Sequence, residues 1–162
     1  MLDGPYLAAA ALLVVTAVPK LADPNPTAGA LRSVGWPSST LVVWTIAIGE
    51  ILTGTAGLLV DHLASAVAVA GVYLGFSVFL VTALRSGGKV SSCGCVGKPD
   101  RPPTGTHLAL NMAATAVALV AAFSQPPAFT TYLTLEGWPI LLFAGLTTWL
   151  AYEALALLPV KA

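Results

Sequence analysis

The chain has 162 residues, of which 57% are hydrophobic and 9% charged, with seven basic and seven acidic side chains and a mean hydropathy of +0.86. Soluble domains carry about 25% charged and about 45–50% apolar residues, so this composition describes one integral membrane domain over residues 1–162 and excludes a water-soluble fold. Zero net charge and scattered basic residues exclude a nucleic-acid surface, and two cysteines are too few for a disulfide scaffold.

A spanning helix needs about 20 predominantly apolar residues. The opening Met1-Leu2-Asp3-Gly4-Pro5 has an acid and no base, so no cleaved secretory signal is expected. The first span is expected from about Tyr6 to Leu21, shorter than the others and ended by Pro19 and Lys20. A connection from Ala22 to Pro37 follows, with Asp23-Pro24-Asn25-Pro26 and Gly35-Trp36-Pro37 as turn signals. The second span runs from about Thr40 to Val60 and the third from about Leu63 to Leu84, joined by a tight hairpin at Asp61-His62. A loop rich in Gly, Ser and Pro, Arg85 to Gly105, contains both cysteines. The fourth span covers about Thr106 to Phe123, Gln125-Pro126-Pro127 opens a loop to Glu136, and the fifth span runs from about Trp138 to Leu158. The expected fold is all-α: a polytopic transmembrane helical bundle of four core helices plus a fifth.

With five spans, the first loop, the third loop and the C-terminus share one side. They contain Lys20, Arg32, Arg85, Lys89, Lys98, Arg101 and Lys161, all seven basic residues. The other side carries Asp3, Asp61, His62 and Glu136. The positive-inside rule then puts the N-terminus outside the cell membrane and the cysteine loop in the cytoplasm. Tyr6, Trp36 and Trp138, near helix starts, are expected as anchors at the headgroup level. Gly71 and Gly75 form a small-xxx-small patch that would let another helix approach.

The reactive chemistry sits in Ser91-Ser92-Cys93-Gly94-Cys95-Val96-Gly97-Lys98. Gly94 removes the Cβ that would hinder a tight turn. Cysteines one residue apart close a disulfide only in a cramped ring, and strained disulfides are the labile or catalytic ones. Lys89, Lys98 and Arg101 favour thiolate over thiol, and Cys95, nearer Lys98, is the more thiolate-like of the two. These are the parts of a thiol–disulfide exchange site with Cys93 and Cys95 as its reactive residues. Two other readings stand beside it: a metal site completed by His107, and a non-catalytic subunit scaffolding a larger complex through Gly71, Gly75 and Asn111. Glu50 lies mid-span, where a carboxylate costs at least about 2.5–3.5 kcal/mol. It is either a functional group, for instance paired with Lys20 reaching inward, or a polar pin that sets helix register. Asn111 could bond across helices or steady the cysteine loop.

With these residues in place the chain resembles the MauE family of methylamine-utilisation membrane proteins, relatives of DoxX. The resemblance rests on Lys20-Leu21-Ala22-Asp23-Pro24, on Glu50, on Ser92-Cys93-Gly94-Cys95-Val96-Gly97 and on Asn111, across about residues 6–124. The chain departs from the family at Val96, where Phe is usual, and at His107-Leu108-Ala109-Leu110-Asn111, where an Arg-Asn pair is common. The fifth segment, about 138–158, resembles an addition to a four-helix core. The resemblance implies a redox-associated protein, working with a thioredoxin-like protein, that forms or reshuffles disulfides in an exported partner. No resident cofactor is expected. Exported disulfides form outside the cytoplasm, yet the charge rule places the cysteine loop inside. Either the first segment does not span, or electrons must cross the bilayer, and one cysteine pair offers no second relay unless the loop folds inward or a quinone takes part.

Overall fold

The computed structural model describes residues 2–61, 63–86, 102–124, 126–134 and 136–156. Among these residues the chain is helical without strands: α1 Asp3–Ala22, α2 Asn25–Ser33, α3 Thr40–Leu59, α4 Leu63–Arg85, α5 Gly105–Ser124 and α6 Trp138–Ala156, with a 3₁₀ turn at Phe129–Leu133. All but α2 are long and apolar enough to cross a bilayer. The protein is a multi-pass membrane bundle.

The first span corrects the expectation of a short segment ended by Pro19 and Lys20. It begins at Asp3, runs through both residues and ends at Ala22. Proline here forfeits one bond in the final turn, and Asp23 N–H closes the end onto Pro19 O at 2.9 Å. Far from being marginal, α1 is the central helix, packing against α3, α5 and α6. Ala9 and Leu13 of α1 join Val69 and Tyr73 of α4 and Ala118 and Ala121 of α5 in one core cluster. Tyr73 Oη donates to Ala9 O at 2.7 Å, which satisfies the phenol inside that apolar layer.

A second correction falls in the first connection, where the nine-residue α2 replaces the expected loop. Asp23 accepts from Asn25 N–H at 3.1 Å at its start. At its end Gly35 takes φ +78°, a left-handed value open to glycine, and Trp36 N–H returns to Leu31 O at 3.0 Å. Thr27, Ala28, Ala30 and Leu31 are buried while Gly29 and Arg32 are exposed, so α2 lies with one face on the bundle. Of the prolines that suggested a turn, Pro24 stands just before the helix and Pro26 in its first turn, where proline is tolerated.

Ser39 caps α3 by accepting from Val42 N–H at 3.3 Å. Ser39→Ala is expected to cost about 1 kcal/mol, read as a small drop in thermal stability in detergent. At the opposite end of the bundle, Tyr132 in the 3₁₀ turn donates to Asp3 Oδ2 at 2.9 Å. Burial first, and then the Asp3 carboxylate, push its phenol up to about 12, so it remains a donor at physiological pH.

Candidate functional site

Lys20 and Glu50 meet inside the bundle. The Lys20 Nζ lies 2.6 Å from each Glu50 carboxylate oxygen, and each side chain is only 1% exposed. Lys20 starts in the last turn of α1 and reaches back toward the middle of α3; its ammonium also lies 5.0 Å from the centre of the Phe76 ring on α4. Burying either charge alone in a bilayer is expensive, and pairing makes both tolerable.

The approach of α1 and α3 that permits the pair is set by glycine. A Cβ at Gly54 would lie 2.6 Å from Ala10 O and 2.8 Å from Val14 Cγ2. One turn further along, a Cβ at Gly57 would lie 3.1 Å from Ala10 Cβ of α1 and 2.9 Å from Val69 Cγ2 of α4. Small residues at these positions let the two backbones come close.

Against the pair lies a cavity of about 520 Å³ between α3 and α4, roofed by α2. Ile46, Gly49, Glu50 and Thr53 line it from α3, and Val72, Gly75, Phe76 and Phe79 from α4. Both sets follow the i, i+3, i+4, i+7 spacing of one helix face. Ala30 and Leu31 of α2 and Trp36 complete the wall, with Trp36 edge-on to Phe79 at 5.7 Å between ring centres. Its lining residues Thr45, Gly75 and Val78 are exposed on the outside of α3 and α4, within the spans, so the mouth faces the apolar phase.

Of the residues singled out from sequence, Lys20 and Glu50 are brought together. Cys93, Gly94, Cys95 and Lys98 lie outside the described residues, as does His62. Asn111 is buried, but its Nδ2 donates to His107 O at 2.8 Å on its own helix, not to another helix. His107 is buried where α5 meets α6: Nε2 lies 3.1 Å from Leu155 O and Nδ1 2.6 Å from Thr104 Oγ1. The Leu155 carbonyl only accepts, so Nε2 carries the proton. Both ring nitrogens of His107 are thus engaged within the protein. No cluster of metal-ligating side chains occurs among the described residues.

Gly71 and Gly75 are not packed against a neighbouring helix: a Cβ at either meets nothing within 4 Å, and Gly75 lines the cavity instead. Tyr6 is in the core at 3% exposure, whereas Trp36 and Trp138 remain exposed. Sequence reasoning passed over Phe76, Phe79, Gly49 and the α2 face. The repeated spacing on α3 and α4 was the available signal, but an apolar face of that kind is ordinarily core.

The family model described as methylamine utilisation protein MauE matches residues 4–124. The chain belongs to the MauE family. No curated protein and no solved structure matches it. The MauE match runs from the start of α1 to the end of α5, so it takes in the Lys20–Glu50 pair, the cavity and the Cys93-Gly94-Cys95 segment. Helix α6 lies beyond the MauE match, although it packs along α1.

Proposed function

We propose that this MauE-family membrane protein is redox-associated and carries out thiol–disulfide exchange through Cys93 and Cys95, supporting disulfide formation in an exported partner. In that direction the Cys93–Cys95 disulfide accepts two electrons. A partner thiolate attacks one sulfur, a mixed disulfide forms, and the partner's second thiolate displaces it. The partner leaves with a new S–S bond, and the pair is left as a dithiol. A thioredoxin-like protein or the client itself can stand as that partner.

The observation that supports this reading is one of placement. The stems of the cysteine segment are the end of α4 and the start of α5, the two helices most extensively packed on each other. Both stems stand at the end of the bundle from which Lys20 reaches in to Glu50. The described stems thus belong to a well-packed helix pair, the kind of scaffold on which a reactive segment is usefully carried. The cavity itself selects no amine: its one carboxylate, Glu50, is already bound by Lys20.

The test is trapping. With either Cys93→Ser or Cys95→Ser, no Cys93–Cys95 disulfide remains for the partner thiolate to attack, so the mixed disulfide that can be trapped with the wild type should be lost, seen on non-reducing gels of intact cells. A membrane-impermeant thiol reagent, applied before and after reduction, should label the wild-type pair only once it is reduced, and reports which face it occupies. Full oxidation of partner proteins in both single variants would overturn the reading.

A further inference from the structure

We propose that the cavity between α3 and α4 is a binding site for a membrane quinone, with the Lys20–Glu50 pair at its polar end. The site's chemistry selects the ligand. A volume of about 520 Å³ falls inside the range of about 300–1,000 Å³ typical of small-molecule pockets. Its wall is apolar and aromatic, with Trp36, Phe76 and Phe79 offering ring surfaces to a planar ligand. Its mouth opens among exposed residues of two spanning helices, so the ligand enters from the bilayer and not from water.

The polar end discriminates further. An anionic lipid headgroup wants net positive charge, and Lys20 is neutralised by Glu50 at 2.6 Å. An acyl chain gains nothing from a buried charged pair. A quinone is neutral and planar and carries carbonyl acceptors. An ammonium has three N–H donors, and Glu50 takes two of those of Lys20. The third can serve a carbonyl oxygen. The Lys20 ammonium can pass that proton to the oxygen as the ring is reduced.

The redox part of this inference rests on the thiol reading above; the binding part does not. In the redox step, the reduced Cys93 and Cys95 lose two electrons and two protons as their S–S bond forms. The quinone gains both and becomes a quinol, with two new O–H bonds. The oxidant that a lone cysteine pair lacks is thus drawn from the bilayer.

Gly49 and Gly75 make the site testable, because a Cβ at either meets nothing within 4 Å while both line the cavity. A Gly49→Leu/Gly75→Leu variant should therefore fold and fill the pocket. Purified full-length protein in phospholipid nanodiscs is titrated with a short-chain benzoquinone, following quenching of tryptophan fluorescence. Saturable quenching is expected in the wild type and equally in Cys93→Ser/Cys95→Ser. In the double-leucine variant, binding should weaken at least tenfold with the melting temperature unchanged. Trp36→Phe should remove the saturable component, leaving only the linear quenching of tryptophans elsewhere. Linear quenching alone in the wild type, or saturable quenching unaltered by the two leucines, would overturn the site. Prereduced wild-type protein should then yield one quinol per pair, and the Cys-less protein none. Binding without quinol formation would leave the site standing and overturn the redox step.

Discussion

Glu50→Leu and Lys20→Met, each made alone, should be among the most damaging substitutions in the molecule, lowering stability by about 3–5 kcal/mol. Each single change leaves its partner charged and buried, with 1% exposure. Made together, the two changes remove both charges and leave side chains of similar bulk. The double variant should therefore recover much of the loss, because desolvating two charges largely offsets their attraction. A double-mutant cycle on thermal unfolding in detergent measures the coupling, which should exceed about 1 kcal/mol for groups in direct contact. Additive losses in the double variant would mean that the pair is not a coupled unit. The cycle also decides what the pair is for. A polar pin that only sets helix register can be replaced by a packed apolar pair with partner oxidation intact. A pair that serves a quinone cannot: the double variant would fold and lose both quinone binding and oxidation.

Gly54→Val should be nearly as severe, for a steric reason. Its Cβ would fall 2.6 Å from a backbone oxygen of α1, and backbone cannot swing aside as the end of a flexible side chain can. Helices α1 and α3 must separate, at a typical overpacking cost of about 1–3 kcal/mol, and the separation also stretches the Lys20–Glu50 contact. Gly71→Val is the matched control, a glycine in a spanning helix with open space around its Cβ. It should leave thermal stability within about 0.5 kcal/mol of wild type. Equal losses at Gly54 and Gly71 would show that the damage comes from helix propensity and not from the α1–α3 contact.

The sequence by itself determined the class of the molecule and the positions of its spans. A bilayer imposes a length and an apolar composition on every crossing segment, and those are local properties readable residue by residue. The second, third and fourth expected spans differ from α3, α4 and α5 by a residue or so at each end. Local signals failed where a residue's meaning depends on a distant neighbour. Pro19 and Lys20 read as an ending because a proline and a charge normally are one. Only Glu50, thirty positions away, makes that lysine acceptable inside the bundle. Tyr6 read as an interface anchor until α4 closed over it, and α2 read as a loop until the bundle supplied a surface for its small apolar face.

Glycine shows the division most clearly. Gly49, Gly54, Gly71 and Gly75 are alike in sequence, all in spanning helices. Tertiary structure alone decides that Gly54 seats α1, that Gly49 and Gly75 hollow out a cavity, and that Gly71 faces outward. The reason is that a missing side chain has no chemistry of its own; its effect is the space left for whatever another helix brings there. The pair, too, was nameable from sequence as two charges in need of partners, but its joining and the apolar chamber beside it exist only once three helices and a roof converge.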